Sequence, residues 1–259
     1  MTAPARQGRL LQPRYWLPVL SLAVVLTAWE LLGRSVDPLL FAPPSRVGAS
    51  FMELSRSGAL LDAVIVTVNT LLVGYGLAIL VGIPVGVLLA QAPTVGAVVQ
   101  PYFYGIFSTP RVVIVPLIIV WFGVDYGGRL LLVFLWSMIA IATSTADGVR
   151  NARPDLVEVA RSFGVRRGQI VRHVLLPGSV PFVVAGLRVG AERAVVGVVI
   201  GEMFLELTGI GGLIQTNAQN FETPAVLCAV VTIAVIGAGL LAVLDAVERR
   251  VSRWKQRPG

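Results

Sequence analysis

The sequence predicts an all-α, polytopic membrane protein with about six spanning helices, and three observations predict it. The 259 residues are 56% hydrophobic with a mean hydropathy of +0.81. Only 14% are charged, where a soluble domain carries roughly 25%. The apolar residues come in runs near the ~20 residues that a bilayer crossing needs, not in the short alternating segments of a barrel.

The first span is placed at 15–33, behind a basic N-region, and reads as an uncleaved anchor. A Pro-rich turn and a short surface helix follow within 38–54. The second span, 62–90, carries Gly74, Gly76, Gly82 and Gly86, small residues that let helices approach closely. The third, 95–122, is interrupted by Pro101, Pro110 and Pro116, so a kinked or discontinuous segment is expected. The fourth, fifth and sixth are placed at 128–148, 179–205 and 225–247. Residues 205–224 carry Gly209-Ile-Gly-Gly212, flexible backbone just past the fifth span.

Charge sets the orientation. The net charge is +7, from 20 arginines and one lysine, Lys255, against 14 carboxylates. Arg6, Arg9 and Arg14 precede the first span, six arginines lie between 150 and 172, and five basic residues close the chain. Fourteen of the twenty-one basic residues are therefore cytoplasmic if both termini and the central polar stretch are. This divides the chain into a basic N-terminus (1–14), one spanning domain (15–248) with a polar loop at 150–178, and a basic tail (249–259). The high isoelectric point is thus topology control, and no nucleic-acid partner is expected.

Several chemistries are excluded. With its one lysine at 255, the chain holds no G-x-x-x-x-G-K-[ST] phosphate loop and is not itself a P-loop ATPase. One cysteine, Cys228, and one histidine, His173, exclude an internal disulfide and a Cys/His metal cluster. Cys228 reads as a small buried hydrophobe and His173 as a surface or packing residue. No catalytic constellation is visible, so no catalytic or metal-binding residue is assigned. Charges inside the spans mark pathways or internal pairs. Arg188, Glu192 and Arg193 are candidates for a translocation path favouring anions. The structural alternative is that these arginines pair with carboxylates, Arg188 with Glu192 at i, i+4.

The central stretch, DLVEVARSFGVRRGQIVRHVLLP over 155–177, is built as a short helix with a stop. Asp155 is placed to cap, with Glu158 three residues on. Leu156, Val159, Ala160 and Phe163 form one apolar face, and Gly164 supplies a left-handed end. Glu158-Val-Ala160, three residues, Gly164, nine residues, then Val174-Leu-Leu176-Pro177 resembles the EAA loop of ABC importer permeases. Val159 and Val174 depart from that pattern conservatively. Phe41-Ala-Pro-Pro-Ser45, Trp121-Phe-Gly123, Ala185-Gly-Leu-Arg188 and Gly209-Ile-Gly-Gly212 resemble its nitrate/sulfonate/taurine branch.

The resemblance implies a bacterial plasma-membrane permease, both termini cytoplasmic, that pairs as a homodimer. It implies two cytoplasmic ATPase subunits carrying ATP and Mg, with no cofactor in this chain, and an extracytoplasmic binding protein delivering a small sulfonate-, taurine- or nitrate-like solute. Membrane lipid is the remaining partner. It also implies a cytoplasmic coupling helix, with Glu158, Ala160, Arg161, Gly164, Leu176 and Pro177 as the ATPase-coupling residues. A vitamin or vitamin-precursor permease of the same family is the alternative. An ion-coupled secondary transporter is a third reading, disfavoured by the absence of an evident internal repeat.

Overall fold

The computed structural model describes residues 13–37, 39–152 and 154–251, and among these every regular element is helical. The elements are α1 (Pro13–Ser35), α2 (Pro44–Arg56), α3 (Ala59–Gln91), α4 (Pro93–Ser108), α5 (Arg111–Phe122), α6 (Tyr126–Arg150), α7 (Pro154–Ser162), α8 (Arg167–Ile170), a π-turn (Val171–Leu175), α9 (Leu176–Phe204), α10 (Gly209–Gln219) and α11 (Thr223–Val251). Nearly all of both predicted basic tails, 1–14 and 249–259, and Arg153 lie outside the described residues.

Four helices, α1, α3, α6 and α11, are long and apolar enough to cross a membrane. A fifth crossing results if Gly168–Phe204 and Gly209–Gln219, bent by 50°, form one broken span. The expected span at 95–122 is two helices, α4 and α5, of 16 and 12 residues. They separate at Thr109, held extended at φ −70°, ψ 132°. Pro110 forces this, since a residue before proline is pushed out of the helical region. The interruption expected at 95–122 is thus present, and among the described residues four or five crossings meet the length and composition of a span. The short surface helix expected within 38–54 is α2.

The core is α6 held between α3 and α9. Leu71, Tyr75 and Ala78 of α3, Val133 and Ile141 of α6, and Ala191, Ala194 and Val198 of α9 form its central buried cluster. Glycines set the spacing on both sides. A Cβ on Gly74 would lie 2.7 Å from Val133 Cγ1, on Gly82 3.1 Å from Ile141, and on Gly86 2.5 Å from the Ala142 carbonyl. From the other side Gly186 faces Ser144, Gly190 faces Ile141, Gly197 faces Trp136 and Gly201 faces Arg129. Gly76, grouped with the packing glycines from sequence, meets nothing within 4 Å. Tyr75 Oη donates to the Leu187 carbonyl at 2.7 Å, tying α3 to α9 directly. Cys228 is buried as expected.

Gly86→Leu should therefore cost more than the roughly 1–3 kcal/mol of ordinary overpacking, because backbone stands in the way. Gly76→Leu should stay within about 0.5 kcal/mol. Thermal unfolding of the two variants in detergent checks the difference.

Candidate functional site

α7 begins at Pro154, one residue before the expected cap. Proline is favoured in the first helical turn, so Asp155 lies inside that turn instead of at its cap. There its charge still opposes the positive helix end, as Arg161 does the negative one. The helix ends as its sequence demands. Gly164 takes φ 69°, its N–H donates to the Arg161 carbonyl at 2.9 Å, and the Val165 N–H donates to the Ala160 carbonyl at 3.1 Å. This bond pair is a Schellman stop.

The predicted apolar face of α7 is largely uncovered. Leu156, Val159 and Phe163 are 40%, 53% and 83% exposed, and Ala160 is half-buried. Val157, Glu158 and Arg161 look the other way, since at about 3.6 residues per turn they fall opposite the Leu156–Val159–Phe163 stripe. They form one wall of a cavity of about 840 Å³, whose other walls include Ala90 of α3, Val149 and Arg150 of α6, and Ile170. Arg150 Nη2 donates to the Leu89 carbonyl at 3.1 Å, holding the ends of α6 and α3 together.

The chain returns to the bundle through the π-turn Val171–Leu175, where the Leu176 N–H donates to the Val171 carbonyl, five residues back. The cause is local: Pro177 has no N–H to give His173, and its ring crowds that carbonyl. Leu176 and Pro177 are exposed at the start of α9. His173, on the exposed side of the turn, has Nδ1 3.0 Å from the Gln169 carbonyl. The only sequence signal for this turn is the closely spaced Pro177 and Pro181.

The path candidates on α9 are not gathered into one site. Arg188 pairs with Asp245 at 2.5 Å and Glu248 at 2.6 Å on α11, not with Glu192. Two carboxylates one turn apart on the neighbouring helix offer more acceptors than one at i, i+4. Glu192 is exposed and Arg193 half-buried.

A second polar site, unassigned from sequence, lies at the opposite end of the bundle. Glu202 is fully buried. Its Oε2 accepts from Thr67 Oγ1 and from the Gly211 N–H, each at 2.9 Å, while the Ile210 N–H donates to Thr67 Oγ1 at 2.9 Å. Glu202 thus caps α10 from another helix. Thr208, in the N-cap position, instead accepts from Arg129 Nη1 at 2.5 Å. Arg129, 4% exposed, also pairs with Glu206 at 2.7 Å. Gly209 at φ 61° and Gly211 are required here, because a Cβ on either would strike the Glu202 side chain. The signal available in the sequence was a carboxylate seven residues before a glycine run.

The architecture thus has an exposed apolar helix-turn face at one end, a largely buried polar knot at the other, and tight small-residue packing between. Residues 82–253 match the family described as binding-protein-dependent transport system inner membrane component. The chain belongs to that family. The permease is 28% identical to the taurine transport system permease protein TauC of Escherichia coli (strain K12) over 245 residues, covering 92% of this chain and 89% of TauC. It is 26% identical to the putative aliphatic sulfonates transport permease protein SsuC of Bacillus subtilis (strain 168), covering 93% and 88%. It is 30% identical to the riboflavin transport system permease protein RibX of Chloroflexus aurantiacus, covering 94% and 91%. In fold it resembles a chain of the inward-facing MetNI methionine ABC transporter, with TM-score 0.65 and 19% identity over 76% of this chain and 98% of that one. It is an ABC importer permease, the membrane-spanning part of the transporter and not an enzyme.

Glu202→Ala should leave Thr67 and the α10 N-terminus without their acceptor, costing roughly 1–3 kcal/mol, whereas Glu202→Gln keeps an acceptor and should cost less than about 1 kcal/mol. Unfolding midpoints of the two variants, measured side by side, check this order.

Proposed function

We propose that this permease carries a small sulfonate, such as taurine, delivered by an extracytoplasmic binding protein and driven by two cytoplasmic ATPase subunits. The uncovered apolar stripe of α7 carries the reading. A short helix showing Leu156, Val159 and Phe163 to solvent, closed by a left-handed glycine, is suited to lie in a groove of a partner protein. The lack of a phosphate loop in this chain requires ATP and Mg to be held elsewhere.

In this reading Ala160, Gly164, Leu176 and Pro177 shape the coupling segment. Glu158 and Arg161 belong to the coupling segment through the inward face of α7, where both line the cavity behind it. Closure of the ATPase pair pushes α7, the π-turn passes the displacement to α9, and the spans switch between outward and inward openings. A second copy of the permease supplies the other half of the path, to which Glu192 and Arg193 contribute. Arg188 then serves as a cross-link to α11 in at least one state of the cycle. The loop end of the bundle faces the cytoplasm, as do both chain termini, in keeping with its arginines. The names of TauC and SsuC support the substrate class. RibX, at 30% identity, supports a second reading in which the solute is a vitamin.

Reconstitution with the partner ATPase and binding protein tests the proposal. Taurine or alkanesulfonate uptake should require ATP and all three components. Uptake by the permease alone would overturn the ATP-driven reading, and uptake of riboflavin but not taurine would select the second.

Gly164→Val isolates the docking element. A Cβ at Gly164 meets nothing within 4 Å, so the penalty is backbone strain alone. A β-branched residue strongly resists φ 69°, and asparagine tolerates it. ATP-dependent uptake should fall at least about ten-fold in Gly164→Val, the effect of roughly 1.4 kcal/mol, and largely survive in Gly164→Asn, with equal membrane yields.

A further inference from the structure

The cavity behind α7 is not used by the docking stripe, and its lining has a definite chemistry. Arg150 and Arg161 approach it from different elements, Glu158 stands beside Arg161, and Ala90, Val157 and Ile170 supply apolar wall. At about 840 Å³ it is in the size range of a ligand site. It lies where the spanning helices α3 and α6 end, and exposed Arg166 and Arg172 flank the same segment. Two guanidinium groups against one carboxylate leave a net positive site. A free anion would use only the arginines, whereas a lipid uses the arginines and the apolar wall together.

We propose that this cavity binds the headgroup of an anionic phospholipid of the phosphatidylglycerol type. The phosphate pairs with Arg150 and Arg161, headgroup hydroxyls donate to Glu158, and the upper acyl chain lies along Ala90, Val157 and Ile170. Basic pockets between spans on the cytoplasmic side are suited to such headgroups. Because Ile170, Val171 and Leu175 also line the cavity, the bound lipid touches the π-turn that joins the loop to α9. The docking stripe lies on the opposite face of α7, so lipid and ATPase can be held together. The inference rests on the proposed cytoplasmic placement of the loop.

The test is native mass spectrometry of the purified permease–ATPase complex titrated with phosphatidylglycerol, phosphatidylethanolamine and phosphatidylcholine. Phosphatidylglycerol should bind roughly five-fold or more tighter than either zwitterionic lipid. Arg150→Gln should remove most of that preference. Ala90→Phe, which fills the apolar wall and keeps every charge, should weaken phosphatidylglycerol to a similar degree. Equal binding of the three lipids by the wild-type complex would overturn the proposal. So would unchanged binding in Arg150→Gln, or loss in Arg150→Gln alone with Ala90→Phe unaffected, which would place the lipid on the outer charged surface. Displacement of the lipid by excess inorganic phosphate would assign the site to a free anion instead. Co-purification of the ATPase is read separately, so loss of the complex would count against the proposed function and not against the lipid site.

Discussion

The structure depends on how closely α3 and α9 approach α6. In a bilayer no hydrophobic force drives helices together, because lipid tails are as apolar as leucine, so contact must come from packing distance. Gly74, Gly82 and Gly86 on one side and Gly186, Gly190, Gly197 and Gly201 on the other remove the Cβ atoms that would hold α6 away. Ser144 and Thr145 of α6 sit against these glycines, and Tyr75 bonds across to α9. The result is a three-helix slab whose two ends are fixed relative to each other.

Each end then acquires a distinct character. At the end opposite the loop, Glu202, Thr67 and Arg129 come from the three slab helices and together hold α10 and the turn before it. Every one of these bonds requires the close spacing that the glycines set. At the loop end, Arg150 ties α6 to α3, but α7 stands off across a cavity and rejoins α9 only through a π-turn. A π-turn is rare and often marks functional sites. The slab is closely packed, and open space is concentrated where the loop meets α9.

The sequence was most legible where the determinant is local. Gly164 ends α7 because a stop at φ > 0 needs glycine, and Thr109–Pro110 breaks the 93–122 segment because proline dictates its neighbour's backbone. The glycines of α3 also announced themselves, although Gly76 turned out to face open space. Long-range partners were not legible. Pairing of Arg188 with a carboxylate is legible, but nothing local distinguishes Glu192 from Asp245 and Glu248 as its mate. The trans cap of α10 by Glu202 joins residues from α3, α9 and α10, so it exists only once those helices are packed. The second glycine stripe, on α9, is hard to read locally because Gly186, Gly190, Gly197 and Gly201 are spread along a span interrupted by Arg188, Glu192 and Arg193.

Under the proposed coupling role, the two faces of α7 let so short an element both receive and transmit a displacement. Nine residues form too few turns to be stable alone, so α7 needs its caps and its neighbours. Its outward stripe is apolar and uncovered, which favours a partner protein, while its inward face meets charge and a cavity instead of a packed core. Had Val157, Glu158 and Arg161 been buried tightly against α6, the helix would belong to the slab and a push on Phe163 would be resisted by the whole bundle. Because they line open space, α7 is not locked into the slab, and the π-turn at the foot of α9 is the covalent link between it and the spans.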